Sequence, residues 1–126
     1  MKKRIPKIAD SEWRVMRVLW ERGPQTANDV VQALSGEVEW KPRTIKTLIS
    51  RLVKKGAVKV TDEGFRYRYE AAVEESASIR SETKIFLRRV YKGAMTPVLA
   101  AFLEDAELSP REIDELQEIL DKKREG

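Results

Sequence analysis

The segment from Lys41 to Ala71, KPRTIKTLISRLVKKGAVKVTDEGFRYRYEA, decides the fold because its apolar period changes once, from helical to alternating. Ile45, Leu48, Ile49, Leu52 and Val53 fall at i, i+3, i+4, i+7 and i+8, the stripe of a helix packed on one face. Pro42 suits the first helical position and Gly56 the position just past the end, so a helix is expected over Pro42–Lys55. Lys41 is a poor N-cap for it. Beyond Gly56, Val58 and Val60 alternate with Lys59 and Thr61, and Asp62-Glu63-Gly64 reads as a turn. Phe65, Tyr67 and Tyr69 then alternate with Arg66 and Arg68. The expectation is a β-hairpin whose core-facing side carries the three aromatics and whose outer side is basic.

The outer face of the helix is unusual. At 100° per residue, Arg43, Thr47, Ser50, Arg51 and Lys54 fall opposite the stripe, within an arc of about 100°. No acid occurs between Lys41 and Lys59. A solvated helix ordinarily mixes signs, because opposite charges four residues apart stabilise it and like charges repel. Here the rows Arg43/Thr47/Arg51/Lys55 and Lys46/Ser50/Lys54 leave the repulsion uncompensated, and a phosphate backbone would offset it. Arg51 can pair with a guanine edge in two hydrogen bonds. Thr44 and Thr47 are small enough for close approach to a thymine methyl or a phosphate. Arg43, Lys46, Lys54 and Lys55 are expected on phosphates, and Arg66 and Arg68 on the backbone or in the minor groove. The blander alternative is a basic surface that serves solubility alone.

Upstream, Asp10 is the expected N-cap of a first helix bearing Trp13, Val15, Met16, Leu19 and Trp20, with Glu12 in its first turn and Gly23-Pro24 as its stop. Thr26 with Asp29 resembles a capping box for a second helix carrying Ala27, Val30, Val31 and Leu34, ended by Ser35-Gly36. Three helices followed by a hairpin is the order of a winged helix-turn-helix, whose third helix enters the major groove of duplex DNA. DNA is preferred to RNA because core-facing aromatics are poor stacking platforms for bases.

The whole chain has 126 residues, no His and no Cys, with 25 Lys+Arg against 21 Asp+Glu. These absences exclude His- or Cys-based nucleophiles, thiolate or imidazole metal sites and disulfides, so no enzyme, no metal and no cofactor is expected. Charge is split along the chain. Residues 1–70 carry 16 Lys+Arg against 9 Asp+Glu, whereas residues 71–126 carry 9 against 12. The start, Lys2-Lys3-Arg4, lacks the apolar run of a signal peptide, and the longest apolar run, Val98 to Leu103, is too short for a bilayer. No membrane insertion and a cytoplasmic location are therefore expected. Trp13, Trp20 and Trp40 could line a ligand pocket, although Trp at core spacing is usually core. Glu104, Asp105 and Glu107 resemble a cation site, although a polar connector is the simpler reading.

From residue 73 onward the pattern is helical. A long helix over Glu74–Tyr91 is expected to close near Gly93, Thr96-Pro97 caps a short helix, and Ser109-Pro110-Arg111-Glu112 is a capping box that opens the last one. Ile79, Phe86, Val90, Leu99, Phe102, Leu103, Ile113, Leu116 and Leu120 supply more apolar surface than three short helices readily bury. A second copy would cover it, and a two-fold dimer would double the base contacts on a palindrome. Folding of these helices back on the N-terminal half is the alternative. The reading is thus mainly α with a small β-hairpin wing: a winged helix-turn-helix DNA-binding domain over residues 1–72 and a helical dimerisation domain over 73–126. A winged-helix module that binds an acidic protein partner is the rival function.

Four stretches carry a resemblance to a known family: IPKIADSEWRVMRVLW (5–20), KPRTIKTLISRLVKKGAV (41–58), GFRYRYEAAVEES (64–76) and FLRRVYKGAMTPVLAAFLEDAELSPREIDELQEIL (86–120). The chain resembles the BlaI/MecI-type penicillinase and methicillin-resistance repressors over nearly its whole length. The resemblance implies a homodimeric winged-helix repressor on double-stranded operator DNA, with Thr44, Thr47 and Arg51 as base readers. It also implies a membrane-bound sensor metalloprotease that triggers cleavage in the dimerisation helices, at a bond equivalent to Ala101-Phe102. The resistance members carry Asn where this chain has Ala101. The copper-responsive members use a C-terminal cysteine site, which a chain without cysteine cannot build.

Overall fold

Residues 5–91 and 95–126, which the computed structural model describes, form six helices and one two-stranded sheet. The order is α1 (Asp10–Arg22), α2 (Ala27–Leu34), α3 (Pro42–Lys54), β1 (Val58–Asp62), β2 (Tyr67–Ala71), α4 (Glu75–Tyr91), α5 (Met95–Asp105) and α6 (Pro110–Glu125). The chain divides into two compact units, Met1–Ile85 and Phe86–Gly126. The compositional boundary at residues 72 and 73 falls just before α4, whose first half belongs to the N-terminal unit.

Local chemistry explains the helix ends. Ala9, not Asp10, is the N-cap of α1. Glu12 stands at the third helical position, where its carboxylate accepts the Ala9 N–H at 2.8 Å. Asp10 is thereby shifted to the first helical position, where the helix dipole still favours an acid. Gly23 ends the helix at φ +77, donating its N–H to Leu19 at 2.9 Å. In α2 the Thr26 hydroxyl accepts the Asp29 N–H at 3.1 Å and Asp29 Oδ2 accepts the Thr26 N–H at 3.0 Å, a reciprocal capping box. Helix α3 starts with Pro42 and lacks a side-chain cap. It closes through Gly56 at φ +84, with N–H bonds from Ala57 to Leu52 and from Gly56 to Val53, at 3.0 and 3.1 Å. That pair of bonds requires a left-handed residue, which only Gly supplies without strain.

The core of the N-terminal unit joins Val15, Met16 and Leu19 of α1, Val30 and Leu34 of α2, and Ile45, Leu48, Ile49 and Leu52 of α3 to Ala57 and Val58. Trp13, Trp20 and Trp40 pack against it, half-buried. Trp13 and Trp20 lie 5.6 Å apart, and the Trp20 indole N–H donates to the Val73 carbonyl at 2.9 Å, tying α1 to the chain leaving the sheet.

Strands β1 and β2 pair antiparallel from Val58↔Ala71 to Asp62↔Tyr67. Gln25 adds one bridge to the free side of β2, exchanging N–H···O bonds with Tyr69 at 2.8 and 2.7 Å. The expectation that all three aromatics face the core fails at Phe65, which leaves the strand, while Tyr67 shares the sheet face of Tyr69 but is left uncovered. Phe65 sits in the turn and is 83% exposed, and Tyr67 is 56% exposed, while Tyr69 packs on the core. The cause is turn length. Residues 63–66 are consumed by a bend in which Gly64, at φ +92, donates to Asp62 Oδ1 at 2.8 Å and Glu63 donates to the Arg66 carbonyl at 2.9 Å. The hairpin tip therefore projects past the helices that would cover it, and core-facing aromatics no longer argue against RNA.

The C-terminal unit contains the end of α4 with α5 and α6. Helix α5 includes Met95, so the expected cap residue Thr96 lies inside it, and Gly93 lies outside the described residues. Ser109 caps α6 as expected: its hydroxyl accepts the Glu112 N–H at 3.1 Å, and Glu112 Oε1 accepts the Ser109 N–H at 3.0 Å. The Phe86 and Phe102 rings stand 6.4 Å apart at 50°, and Val98 is the one buried residue among those described in this unit. Among the described residues, no helix is long and apolar enough to cross a membrane.

Candidate nucleic-acid interface

Helix α3 presents its charge as the sequence pattern requires. Ile45, Leu48, Ile49 and Leu52 are buried, and Arg43, Thr44, Lys46, Thr47, Ser50, Arg51 and Lys54 are all exposed. Among the described residues, Arg43, Lys46, Arg51 and Lys54 have no carboxylate within 4.0 Å. Four cations on one helix face therefore lack internal partners and keep their donors for an external anion. The Thr47 hydroxyl donates to the Arg43 carbonyl at 3.0 Å. Its proton is thus committed, so Thr47 offers a methyl group and oxygen lone pairs outward, suited to a thymine methyl or to an amino group of adenine or cytosine.

Lys55 belongs elsewhere. Its ammonium is 2.6 Å from Glu12 Oε1 and 3.0 Å from the Lys7 carbonyl, and Glu12 is 2% exposed. The expected phosphate contact is corrected to an internal anchor between the end of α3 and the start of α1. A buried carboxylate demands such a partner. The signal in the sequence was a lone acid on the apolar stripe of α1.

The wing is less cationic than its arginines suggest. Glu63 takes both: its Oε1 accepts the Arg66 Nε–H at 3.0 Å and its Oε2 accepts the Arg68 Nε–H at 3.1 Å. Those bonds, Arg66 first, hold the Glu63 carboxyl below its ordinary range. Because each arginine engages through Nε, its terminal NH2 groups stay available. Arg66 also lies over the exposed Phe65 ring, 5.1 Å from its centroid. Asp29 is lowered too, mainly by the Thr26 backbone N–H, with smaller help from the Arg68 and Arg66 charges. Alternation along β2 puts Arg68 on one face and Tyr67 and Tyr69 on the other, so the basic face of the wing is the one turned away from α3. The sequence does not announce this role of Glu63, because Asp62-Glu63-Gly64 carries the composition of a turn.

With Lys55 withdrawn, the expected DNA-contact residues fall in two groups on one unit, Arg43, Thr44, Lys46, Thr47, Ser50, Arg51 and Lys54 along α3 and Arg66 and Arg68 on the wing. The nine expected dimerisation residues are distributed differently. Ile79 lies in the first half of α4. Phe86, Val90, Leu99, Phe102, Leu103, Ile113 and Leu120 are exposed in the C-terminal unit, Leu116 is half-buried, and α6 buries none of its residues. Ala101 and Phe102 lie within α5, and Phe102 is 60% exposed. Glu104, Asp105 and Glu107 are exposed, and among the described residues no three acids gather as metal ligands.

Three packed helices, an uncovered cationic third helix and a hairpin beside it define the winged helix-turn-helix class. Known proteins narrow this further. The family model described as penicillinase repressor matches residues 8–122. The penicillinase repressor of Bacillus licheniformis is 39% identical over 120 residues, covering 95% of this chain and 94% of that one. The methicillin resistance regulatory protein MecI of Staphylococcus aureus (strain N315) is 37% identical over 116 residues, covering 92% and 94%. Among solved structures, the Bacillus licheniformis BlaI monomeric form in complex with the blaP half-operator matches with a TM-score of 0.53 and 40% identity. That match covers 60% of this chain and 92% of the other. The chain belongs to the penicillinase repressor family, a family of repressors and not of enzymes.

Proposed function

We propose that this chain represses transcription by binding double-stranded operator DNA as a homodimer, each copy setting α3 into the major groove of one half-site. The observation that carries this reading is the acid-free face of α3, whose four cations have no carboxylate within 4.0 Å among the described residues. The relative solved on a half-operator supports it, sharing 40% identity across the winged helix. Residues 1–72 supply the DNA-binding domain. Arg51 and Thr47, with Thr44, read bases, while Arg43, Lys46, Ser50, Lys54, Arg66 and Arg68 hold the backbone.

Residues 73–126 supply the pairing surface. Large side chains such as Leu99, Phe102, Ile113 and Leu120 stand about half exposed in the single chain, more apolar surface than a lone unit readily leaves in water. Repression is by occlusion of a promoter. Release follows cutting at Ala101-Phe102, set off by a sensor metalloprotease. A cut there severs α5 beside the Phe86–Phe102 contact and separates the two half-site readers. Each reader then loses the effective concentration supplied by its tethered twin, so operator affinity collapses with an intact DNA-binding surface. Because the bond lies inside a helix, α5 must open locally before a protease can reach it.

Selection of bound duplexes from a random pool, with the mass of the complex measured in parallel, tests the function. The expected result is a palindrome bound by twice the 14.5 kDa chain. Failure to enrich any duplex at low salt, alongside capture of an acidic protein by the same face, would give the function to the rival interaction module.

A further inference from the structure

The cations of α3 and those of the hairpin are partnered differently. Among the described residues, Arg43, Lys46, Arg51 and Lys54 have no carboxylate within 4.0 Å, whereas Lys59, Arg66 and Arg68 of the hairpin each have one. Lys59 Nζ lies 3.3 Å from Glu70 Oε1 on the neighbouring strand. Arg66 and Arg68 share Glu63, one on each oxygen of its carboxylate. Arg66 is held a second time, over the Phe65 ring. The bend that carries this group is itself fastened, by the Gly64 N–H on Asp62 Oδ1 and the Glu63 N–H on the Arg66 carbonyl. An isolated surface ion pair stabilises little, but one carboxylate shared by two guanidiniums, with one of them stacked on a ring, fixes their directions. Stability therefore does not account for an acid and an 83% exposed phenyl ring at the tip of a DNA-binding wing, where the acid weakens attraction to phosphate.

We propose that Glu63 and Phe65 preset Arg66 and Arg68 as a rigid fork, and that this fork sets the margin by which operator is bound over random DNA. The inference rests on the DNA-binding reading above. Glu63 and Phe65 are positioning residues: they act through the arginines and not by touching DNA. Random duplex is held by cations that settle on whatever phosphates lie near, so arginines free to adapt suit it best. At the operator α3 fixes one register, and arginines that already point into it lose less side-chain freedom on binding. With Nε–H on Glu63, each guanidinium keeps its terminal NH2 groups for the strand. The Glu63 charge repels phosphate in both complexes alike. Only in the operator complex is that repulsion offset, by freedom given up before the DNA arrives. The clamp thus weakens random binding and leaves operator binding nearly untouched.

The experiment measures the full chain and its variants on the selected operator and on a random duplex of equal length, across a salt series. Glu63→Gln removes the charge at nearly constant shape. It should tighten random binding about fivefold and steepen its salt slope by about 0.9, while operator affinity stays within about twofold. Phe65→Ala frees Arg66 without changing any charge. It should weaken operator binding about threefold, leave random binding as it was, and have no effect once Arg66→Ala is also present. Equal changes on the two duplexes for Glu63→Gln, nil included, would overturn the fork by reducing Glu63 to uniform repulsion. A Phe65→Ala loss that persists without Arg66 would overturn it as well, by making the ring a DNA contact in its own right. A parent chain that binds the two duplexes equally, or neither, would instead strike the operator-binding reading, and the fork with it.

Discussion

Lys55→Met isolates the buried anchor that fixes the end of the recognition helix to α1. The substitution keeps most of the aliphatic stem and removes an ammonium held 2.6 Å from Glu12 Oε1. Glu12 would keep only the Ala9 N–H at 2.8 Å while remaining almost wholly enclosed. Removing one partner of a fully buried pair costs about 3–5 kcal/mol. The Lys55 side chain is 33% exposed, so water can enter the vacated position and offset part of that cost. The expected destabilisation is therefore about 2–3 kcal/mol. Urea unfolding followed through Trp13 and Trp20 fluorescence measures it. Glu12→Gln in the same background removes the stranded charge but keeps an acceptor for Ala9, so the double variant should be more stable than Lys55→Met. The salt slope of DNA binding should not move, because this ammonium is committed internally. An unchanged urea midpoint, or a salt slope reduced by about 0.9, would return Lys55 to the phosphate contacts and refute the anchor.

Arg51→Ala should weaken the selected operator by about 1–3 kcal/mol and relax preference at one base pair, whereas Lys46→Ala should weaken all sequences alike and lower the salt slope by about 1. Equal losses on operator and random duplex for Arg51→Ala would remove its reading role. Phe102→Glu and Leu120→Glu each place a charge on the proposed pairing surface, and light scattering should show monomers that bind half-operators but not the full palindrome cooperatively. Glu112 is held below its ordinary value of 4.5, first by the Ser109 backbone N–H and then by its hydroxyl. A carboxyl lowered in the folded state stabilises above its unfolded pKa and loses that contribution as pH falls through the folded one. Helix α6 should therefore fray in acid, and Glu112→Gln should flatten that acid limb in circular dichroism.

Much of the fold was legible because local and tertiary preferences agree. The stripe from Ile45 to Val53, Gly56 as stop, and the Thr26 and Ser109 boxes each state one physical requirement that no long-range contact overrides. What escaped depended on separation in sequence or on the length of a turn. Glu12 and Lys55 are 43 residues apart, and nothing local marks them as a pair. Gln25 joins the sheet through backbone alone, which its side chain cannot announce. Phe65 keeps the parity of its strand, yet the bend over residues 63–66 carries it off the strand and into water. The exposed cationic face of α3 was readable because charge and period coincide on one helix. The charge of the wing was half readable, since Arg66 and Arg68 stand out in the pattern and the Glu63 that binds both does not.

Methylation interference on the selected operator reports groove and symmetry together, because dimethyl sulfate marks guanine N7 in the major groove and adenine N3 in the minor groove. Two clusters of guanine interference, centred about 10–10.5 base pairs apart or a multiple of that, are expected from twin α3 helices on one duplex face. Interference confined to adenine N3, or a single cluster on a duplex that binds one chain, would contradict paired major-groove reading.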